Sequence, residues 1–140
     1  MKGLSVTALA AVVVLASTAG IAQIFRSWSI ADAQRAAGQQ LFHDHCMICH
    51  SPPAGAPAFG PPLAGVIGRT AGTYPGFPYS EALKKSGIVW TEDNLRKWIA
   101  DNAKLVPGTR MAHVSLSDPA EQIYVVSYLE TLAKPQAPAH

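Results

Sequence analysis

The chain has one pair of cysteines, and a histidine stands directly after the second. Cys46 and Cys49 are separated by two residues, and His50 completes the run. Two thiols one helical turn apart can each add to a vinyl group along one edge of a porphyrin. The imidazole of His50 is then held beneath the iron, where it can be the proximal ligand. The spacing therefore predicts a single, covalently attached c-type haem.

Three other uses of a cysteine pair fit this sequence less well. A thioredoxin-like redox dithiol follows a strand-rich unit, but none precedes this pair, and Pro52-Pro53 comes after it. A zinc site needs a second Cys/His pair at finger spacing, which the chain lacks. A disulfide between Cys46 and Cys49 would close a strained loop. The haem interpretation is the one with which the rest of the chain agrees.

The iron of a histidine-ligated haem has a sixth position, for which the chain offers more than one residue. Met111 follows Pro107-Gly108 in a predicted loop, and its neutral, soft thioether would favour the ferrous state and raise the potential. His113 would give a bis-histidine haem of lower potential. Met47 is worse placed because it lies inside the motif. Since a loop methionine can also simply fill a gap, the residues by themselves leave the distal ligand open.

Two further histidines, His43 and His45, lie just before the motif. Because they are two residues apart on a predicted helix, they point to different sides and cannot easily share a metal. We expect both to be solvated, although His45, next to Cys46, could lie near the exposed haem edge.

The distribution of charge argues against a nucleic-acid partner. The 140-residue chain has a formal net charge of +2, but Lys2 and Arg26 are the only charged residues before Ala31. From Ala31 onward the remaining nine basic side chains balance all nine acidic ones. A neutral domain is not the strongly basic surface that nucleic acid requires. The length suits one domain, and a haem can supply part of its core.

Residues 1–30 have the organisation of an export segment. A basic start, an uncharged stretch and small residues after its apolar centre predict a secretory signal peptide, with cleavage after Ala19 or Ala22. The alternative is an uncleaved membrane anchor with its edge near Arg26. Both interpretations export the domain to the periplasm, the side on which haem is normally attached to such motifs.

Helical periodicity and capping residues predict the elements of the domain itself, residues 31–134, which a flexible tail follows at 135–140. Ser80, Thr91 and Asp118 are good N-caps, and Pro119 suits the first position of a helix. The predicted helices cover residues 32–48, residues 81–86 up to Gly87, a stretch from Thr91 to Asn102 or Ala103, and a stretch from Pro119 to Pro135.

Most prolines and glycines of the domain lie between residues 51 and 79. A loop of this length inside a compact domain normally counts against an assignment. Wrapped around a flat cofactor, it need not pack on itself, since side chains such as Leu63 and Phe77 can pack on porphyrin. The sequence therefore predicts an all-α fold, with three to five helices and long loops around one covalent haem.

These residues together resemble class I cytochromes c, of the mitochondrial type and its bacterial counterparts. The resemblance runs from about Asp32 to Leu132 and includes several motifs in the family's order. They are Gly38 and Phe42 before the Cys46–His50 run, Gly60-Pro-Pro-Leu-Ala-Gly-Val-Ile-Gly-Arg69, Gly76-Phe-Pro-Tyr-Ser80, Gly87-Ile-Val-Trp90, Pro107-Gly-Thr-Arg-Met111 and Tyr128-Leu129.

The resemblance implies a complete set of haem ligands. Cys46 and Cys49 would form the thioethers, and His50 would be the proximal ligand. The carbonyl of Pro61 would accept a hydrogen bond from the other ring nitrogen of His50 and so tune the ligand. Met111 would be the distal ligand, which resolves the choice that the residues alone left open.

The resemblance also assigns residues around the haem edges and between helices. Arg69, Tyr79 and Trp90 would hold the haem propionates. Gly38 would let the first helix cross the last one against Tyr128.

Several positions depart from the family pattern. Trp98 stands where the family usually has a tyrosine that donates to the methionine sulfur, and an indole N–H could donate instead. Thr109 keeps its place as a hydrogen-bonding neighbour in the methionine loop. Leu83 replaces a polar residue near the buried haem water network, and His113 replaces an aromatic residue at the interprotein surface. Ala103 lacks a lysine common on the docking face.

The function implied by the resemblance is that of an electron carrier rather than an enzyme. It would take one electron from a membrane complex or dehydrogenase and pass it to an oxidase, reductase or photosynthetic reaction centre. The docking face keeps Lys84, Lys85, Lys104 and Arg110, so it would still steer toward an acidic partner. We expect a monomer that shuttles between partners, soluble or tethered by its N-terminal segment.

Two alternatives belong to other classes of protein. A haem peroxidase or similar enzyme needs an open sixth position on the iron. A fixed cytochrome subunit of a dehydrogenase or oxidase complex would use the same chemistry at a permanent interface.

Overall fold

The computed structural model describes residues 29–51, 58–111 and 114–132, which contain six helices. These are α1 (Ile30–His45), α2 (Met47–His50), α3 (Glu81–Lys85), α4 (Glu92–Ala100), α5 (Asn102–Leu105) and α6 (Pro119–Thr131). The only β pairing in this part of the chain is an isolated antiparallel bridge between Thr70 and Val89. The predicted all-α fold is confirmed.

The chain divides into two compact units, Met1–Ala33 and Gln34–His140. Of the first unit, the structure describes Ser29 to Ala33, where α1 begins. The N–H of Ser29 donates to the Asp32 carboxylate at 3.2 Å, and the N–H of Asp32 donates to the Ser29 hydroxyl at 3.1 Å. This reciprocal pair satisfies N–H groups that a helix start leaves free.

Some sequence predictions fall on residues outside the described ranges. These are the leader up to residue 28, His113, Pro135 and the tail at 135–140. Among the helices of the described residues, none is both long enough and apolar enough to cross a membrane.

The three predicted N-caps are confirmed. The Ser80 hydroxyl accepts from Leu83 N–H at 3.3 Å, the Thr91 hydroxyl from Asn94 N–H at 3.1 Å, and the Asp118 carboxylate from Ala120 N–H at 2.8 Å. Each cap provides an acceptor for an N–H that the first turn leaves unbonded. Gly87 follows shortly after α3, and its φ of +65° is a left-handed conformation that stops the helix.

The number of helices exceeds the predicted three to five because two predicted helices are each divided. Cys46 separates α1 from the single turn of α2. Asp101 separates α4 from α5: its backbone is extended, and its carboxylate accepts from Lys104 N–H at 2.9 Å. Asp101 therefore acts as a second cap inside a stretch that the apolar periodicity alone treats as one helix.

The helix α1 crosses α6 at Gly38. A Cβ atom built on Gly38 would collide with the Tyr124 carbonyl and would lie 3.0 Å from Cβ of Tyr128. The two helices are therefore close enough that only glycine fits at the crossing. Phe42, one turn further along α1, packs against the Tyr128 ring with a centroid distance of 5.2 Å.

The core is formed largely where α4 packs against α6. Leu95, Trp98 and Ile99 of α4, which recur at helical spacing, are buried. On α6, Val125, Val126 and Leu129 are buried, whereas Tyr128 is half-buried, as is Leu132 directly after the helix.

Candidate haem site

A cavity of about 770 Å³ lies among the motif helix, the loop between α2 and α3, α4, α6 and the loop before Met111. Ligand pockets typically have volumes of about 300–1,000 Å³. Every residue predicted to contact the haem or its iron lines this cavity: Cys46, Cys49, His50, Pro61, Arg69, Tyr79, Trp90, Trp98, Thr109 and Met111. The structure thus brings together residues that are spread over more than half of the domain.

The two thiols of the motif are free and differ in exposure. Cys46 is buried and Cys49 is half-buried. Burial, with a smaller contribution from Cys49, raises the pKa of the Cys46 thiol to about 11. The catalytic thiol of a dithiol oxidoreductase needs a lowered pKa, because the thiolate is the nucleophile. Cys46 therefore has the properties of a buried thiol and not those of a redox nucleophile.

The imidazole of His50 is oriented by the chain that follows α2. Its Nδ1 lies 2.7 Å from the carbonyl oxygen of Pro61. Since a carbonyl can only accept, Nδ1 carries the proton and donates, which leaves the lone pair on Nε2 for a metal. Burial lowers the pKa of His50, and the hydrogen bond to Pro61 partly opposes that effect. The net lowering of the pKa favours a neutral imidazole, the form that ligates iron.

Gly60 lets the backbone approach the His50 ring, a role that the sequence did not reveal. A Cβ atom on Gly60 would lie 2.5 Å from Cε1 and 2.6 Å from Nδ1 of that ring. The N–H of Gly60 donates to the carbonyl of Cys49 at 2.9 Å, which ties this segment to α2. The Gly-Pro pair in the sequence was the only available signal, because the contact itself spans ten positions of chain.

Arg69 and Trp90 are held side by side by backbone hydrogen bonds. Trp90 N–H donates to the Arg69 carbonyl at 3.0 Å, and Gly68 N–H donates to the Trp90 carbonyl at 2.9 Å. The Arg69 guanidinium donates to the Pro62 carbonyl at 3.0 Å. Among the described residues that line the cavity, Arg69 and Arg110 carry full charges and none is a carboxylate. A positively charged wall suits the two anionic propionates of a haem.

Tyr79, the third residue predicted to hold the propionates, is half-buried and packs against Phe77, with ring centroids 4.7 Å apart. Burial raises the pKa of its phenol, while the backbone of Tyr74 and the charge of Arg69 partly lower it. The phenol therefore stays protonated at neutral pH and can donate a hydrogen bond into the cavity.

The two cavity tryptophans, Trp90 and Trp98, pack against each other with ring centroids 5.1 Å apart. Both are buried, yet neither indole N–H bonds to any residue that the structure describes. No buried side-chain nitrogen or oxygen in the same residues lacks a partner. Both N–H groups therefore keep some accessible surface, as expected of donors that face a cofactor cavity.

Met111 is half-buried and reaches the cavity from the loop after α5. Its N–H donates to the Thr109 hydroxyl at 3.4 Å, and Thr109 N–H donates to the Val106 carbonyl at 3.1 Å. Leu83, a departure from the family pattern, is buried and lines the same cavity. His113, the rival distal ligand, lies outside the described residues.

The histidines before the motif lie on the surface. His43 and His45 are both exposed, and Nδ1 of His43 lies 2.9 Å from the Asp44 carboxylate. Hydrogen bonding with the His43 ring, and then with Gln40, lowers the pKa of the Asp44 carboxyl below its ordinary value. Among the described residues, no group of three or more His, Cys, Asp or Glu side chains is placed to hold a metal ion.

The residues present fit a covalently attached haem. The cavity offers two unpaired thiols, an imidazole with a free Nε2, a thioether, cationic side chains and apolar walls. A structural zinc site would need four ligands, and the described residues place no group of even three potential metal ligands together. The same donor set is the one that holds a six-coordinate haem.

Comparison with known proteins gives a consistent result. The family model for cytochrome c matches residues 35–133. Cytochrome c2 of Rhodopila globiformis is 48% identical over 95 residues, which cover 68% of this chain and 90% of that protein. Cytochrome c of Euglena viridis is 41% identical over 101 residues, covering 72% of this chain and 97% of that protein.

A solved structure is similar as well. Cytochrome cH from Methylobacterium extorquens is 41% identical, with a TM-score of 0.63. The match covers 69% of this chain and 97% of that structure.

Proposed function

We propose that this chain, which belongs to the cytochrome c family and is a single-haem electron carrier, moves electrons between redox partners on the periplasmic side of a membrane. Its covalent haem c supplies a one-electron change at iron. The observation that carries the finer proposal is that His50 and Met111 line one cavity together with the free thiols Cys46 and Cys49. We assign the thioethers to the cysteines and the axial positions to His50 and Met111.

In this proposal the protein holds the cofactor rather than catalysing a reaction. With His50 and Met111 both holding the iron, no position on it would remain for a substrate, and buried residues such as Val66, Leu95 and Trp98 would help to exclude water. Pro61 keeps the His50 imidazole in the tautomer that ligates. Arg69, Tyr79 and Trp90 hold the propionates, and Trp98 presents an N–H donor to the cavity. A rigid site changes little between oxidation states, which favours fast electron transfer.

The partners we propose are redox proteins with acidic docking surfaces. Arg110 is exposed and also lines the cavity. Lys84 and Lys85 stand at the end of α3. This helix packs near the loop that carries Met111, since Ala82 of α3 lies 3.3 Å from the Cβ position of Gly108. Lys84 pairs with Glu81 at 2.9 Å, which weakens its contribution. Complementary charge of this kind raises the rate of association more than the affinity.

Two exposed apolar side chains support a docking surface beside the motif. Ile48, within α2, is 72% exposed, and Phe59, at the cavity wall, is 74% exposed. The hydrogen bond from Gly60 to Cys49 brings the neighbours of these two residues together. Exposed apolar side chains next to a functional cavity are typical of interaction sites. We propose that Ile48 and Phe59 supply the apolar centre of the interface, and the cations its edge.

We propose that the N-terminal segment exports the chain and is then cleaved after Ala19 or Ala22, which gives a soluble periplasmic carrier. An intact mass of haem-stained protein from the membrane and soluble fractions tests this: a full-length, membrane-bound chain would contradict removal. Gel filtration and pull-down of the native protein separate the monomeric shuttle from the alternative, a fixed subunit of a dehydrogenase or oxidase complex.

The axial ligand is tested by comparing two methionine variants. Met111→Ala should abolish the weak near-infrared band of a methionine-ligated ferric haem, lower the reduction potential and admit imidazole to the iron. Met47→Ala is the matched control, because Met47 is half-buried and lines a different surface pocket. Its band and potential should stay as in the unmodified protein. An unchanged spectrum and potential in Met111→Ala would refute the assignment.

A further inference from the structure

Asn102, the first residue of α5, is the one buried polar side chain among the residues that the structure describes, with 3% of its surface exposed. A buried amide is unfavourable unless it is hydrogen-bonded. Asn102 is not a helix cap, because Asp101 performs that role for α5. The burial of this amide therefore calls for a reason other than local helix formation.

The hydrogen bonds of Asn102 reach both ends of the loop that carries Met111. We define the methionine loop as the described residues on either side of the ligand, 106–111 and 114. The backbone carbonyl of Asn102 accepts from Val106 N–H at 2.9 Å, where the loop begins. Its side-chain Nδ2 donates to the carbonyl of Val114 at 3.3 Å, where the loop returns. One residue thus joins the outgoing and returning legs.

The other hydrogen bonds of this segment do not replace that connection. Those from Thr109 to Val106 and from Met111 to Thr109 lie within the methionine loop, so they shape its turn without tying it to a helix. The bonds from Ser115 to Ala100 and from Leu116 to Ile99 lie further from Met111 along the chain. Of the described side-chain bonds to residues after Met111, the one from Asn102 is therefore the nearest to Met111 along the chain.

We infer that Asn102 is a positioning residue for the distal ligand: it closes the methionine loop so that the Met111 thioether is presented to the haem cavity. The inference rests on the proposed role of Met111. Without the amide, the Val114 carbonyl loses its buried hydrogen-bond donor. The segment that carries Met111 is then held only from Ser115 and Leu116 onward, so the loop between its hydrogen-bonded ends becomes longer. Met111 then spends more time away from the iron, and an external ligand competes with it more successfully.

The test uses the haem-loaded protein in its ferric state. Asn102→Leu keeps nearly the same side-chain shape but removes the donor, and Asn102→Ala is a smaller second variant. Val126→Ala is the control: because Val126 is buried on α6 and lines no part of the haem cavity, the substitution should lower global stability without changing the cavity lining. Imidazole affinity and the near-infrared band are measured for each, beside unfolding in urea.

We expect the Asn102 variants to bind imidazole about tenfold more tightly than the unmodified protein, the effect of losing one buried hydrogen bond. Val126→Ala should unfold more easily yet bind imidazole as the unmodified protein does. Equal imidazole affinity in the Asn102 variants and the unmodified protein would overturn the inference, and so would an equal increase in Val126→Ala. If the unmodified protein itself lacks the near-infrared band, Met111 is not the ligand, and the inference about Asn102 is overturned with it.

Discussion

The two sides of the haem cavity are built in different ways. On the proximal side, His50 lies within α2, one residue from a cysteine, and bonds to Pro61 at 2.7 Å while Gly60 packs against its ring. On the distal side, Met111 lies in a loop, and its N–H makes one hydrogen bond of 3.4 Å to Thr109. One proposed ligand is thus flanked by a cysteine and enclosed by backbone, and the other is positioned by few hydrogen bonds.

This difference indicates which ligand is expected to leave first. In the proposed site, thioether cross-links at Cys46 and Cys49 would keep His50 near the iron even when the fold loosens, because its chain neighbours could not move away. Met111 depends on the closure of its loop, which opens at a lower cost than the whole domain does. Substitutions on the proximal side should therefore lower the free energy of global unfolding. Substitutions on the distal side should mainly change how often Met111 leaves the iron.

The largest effect is expected on the proximal side, from Gly60→Ala. Its methyl group would lie 2.5 Å from Cε1 of His50, so the ring or the backbone must shift, at a cost of about 3 kcal/mol in the free energy of unfolding. Gly65→Ala is the control: nothing lies within 4 Å of its Cβ position, and its φ of +65° alone costs about 1 kcal/mol. Unfolding in guanidinium measures both. Equal losses would show that the His50 ring is not tightly enclosed.

A smaller effect is expected on the distal side, from Thr109→Val. The substitution keeps the shape of the side chain but removes the hydroxyl that accepts from Met111 N–H, which weakens methionine ligation by about 1 kcal/mol. The free energy of global unfolding should change less than the imidazole affinity of the ferric protein. Thr73→Val removes an exposed hydroxyl bond to the Thr70 carbonyl, away from the cavity lining. If Thr73→Val raises the imidazole affinity as much as Thr109→Val does, the effect of Thr109→Val is not specific to the distal side.

The smallest effect is expected away from both ligands, at Glu130 of α6. Burial raises the pKa of this carboxyl above its ordinary value of 4.5, the charge and hydrogen bond of Glu92 add to the effect, and Arg35 opposes it. The folded protein therefore binds this proton more tightly than the unfolded chain does. The resulting stabilisation is fully present when the pH is below the carboxyl's ordinary pKa. It is lost as the pH rises through the higher pKa of the folded protein.

Glu130→Gln should accordingly stabilise the domain slightly at neutral pH, and this gain should disappear as the pH falls below the ordinary pKa of the carboxyl. Urea unfolding across that pH range measures it, with the near-infrared band recorded in parallel. The band should not change, because Glu130 lines no part of the haem cavity. A stabilisation that grows toward acid pH would contradict the sign of the shift.

Elements with strong local signals were predicted well from the sequence. Ser80, Thr91 and Asp118 cap the helices they were expected to cap, because a short polar side chain before an apolar repeat acts within one turn. The division at Asp101 was missed because the same kind of cap lies inside a continuous apolar stripe. The roles of Gly60 and Asn102 were missed because each depends on a partner about ten positions away in the chain.

The sequence by itself determined the chemistry of this protein. The spacing of Cys46, Cys49 and His50 acts over a single helical turn, so the haem interpretation needed no knowledge of the fold. Only the tertiary structure decided how that chemistry is enclosed: that Gly60 lies against the His50 ring, and that Asn102 joins the legs of the methionine loop. Such contacts arise from the packing of distant segments, and no local pattern of residue types specifies them.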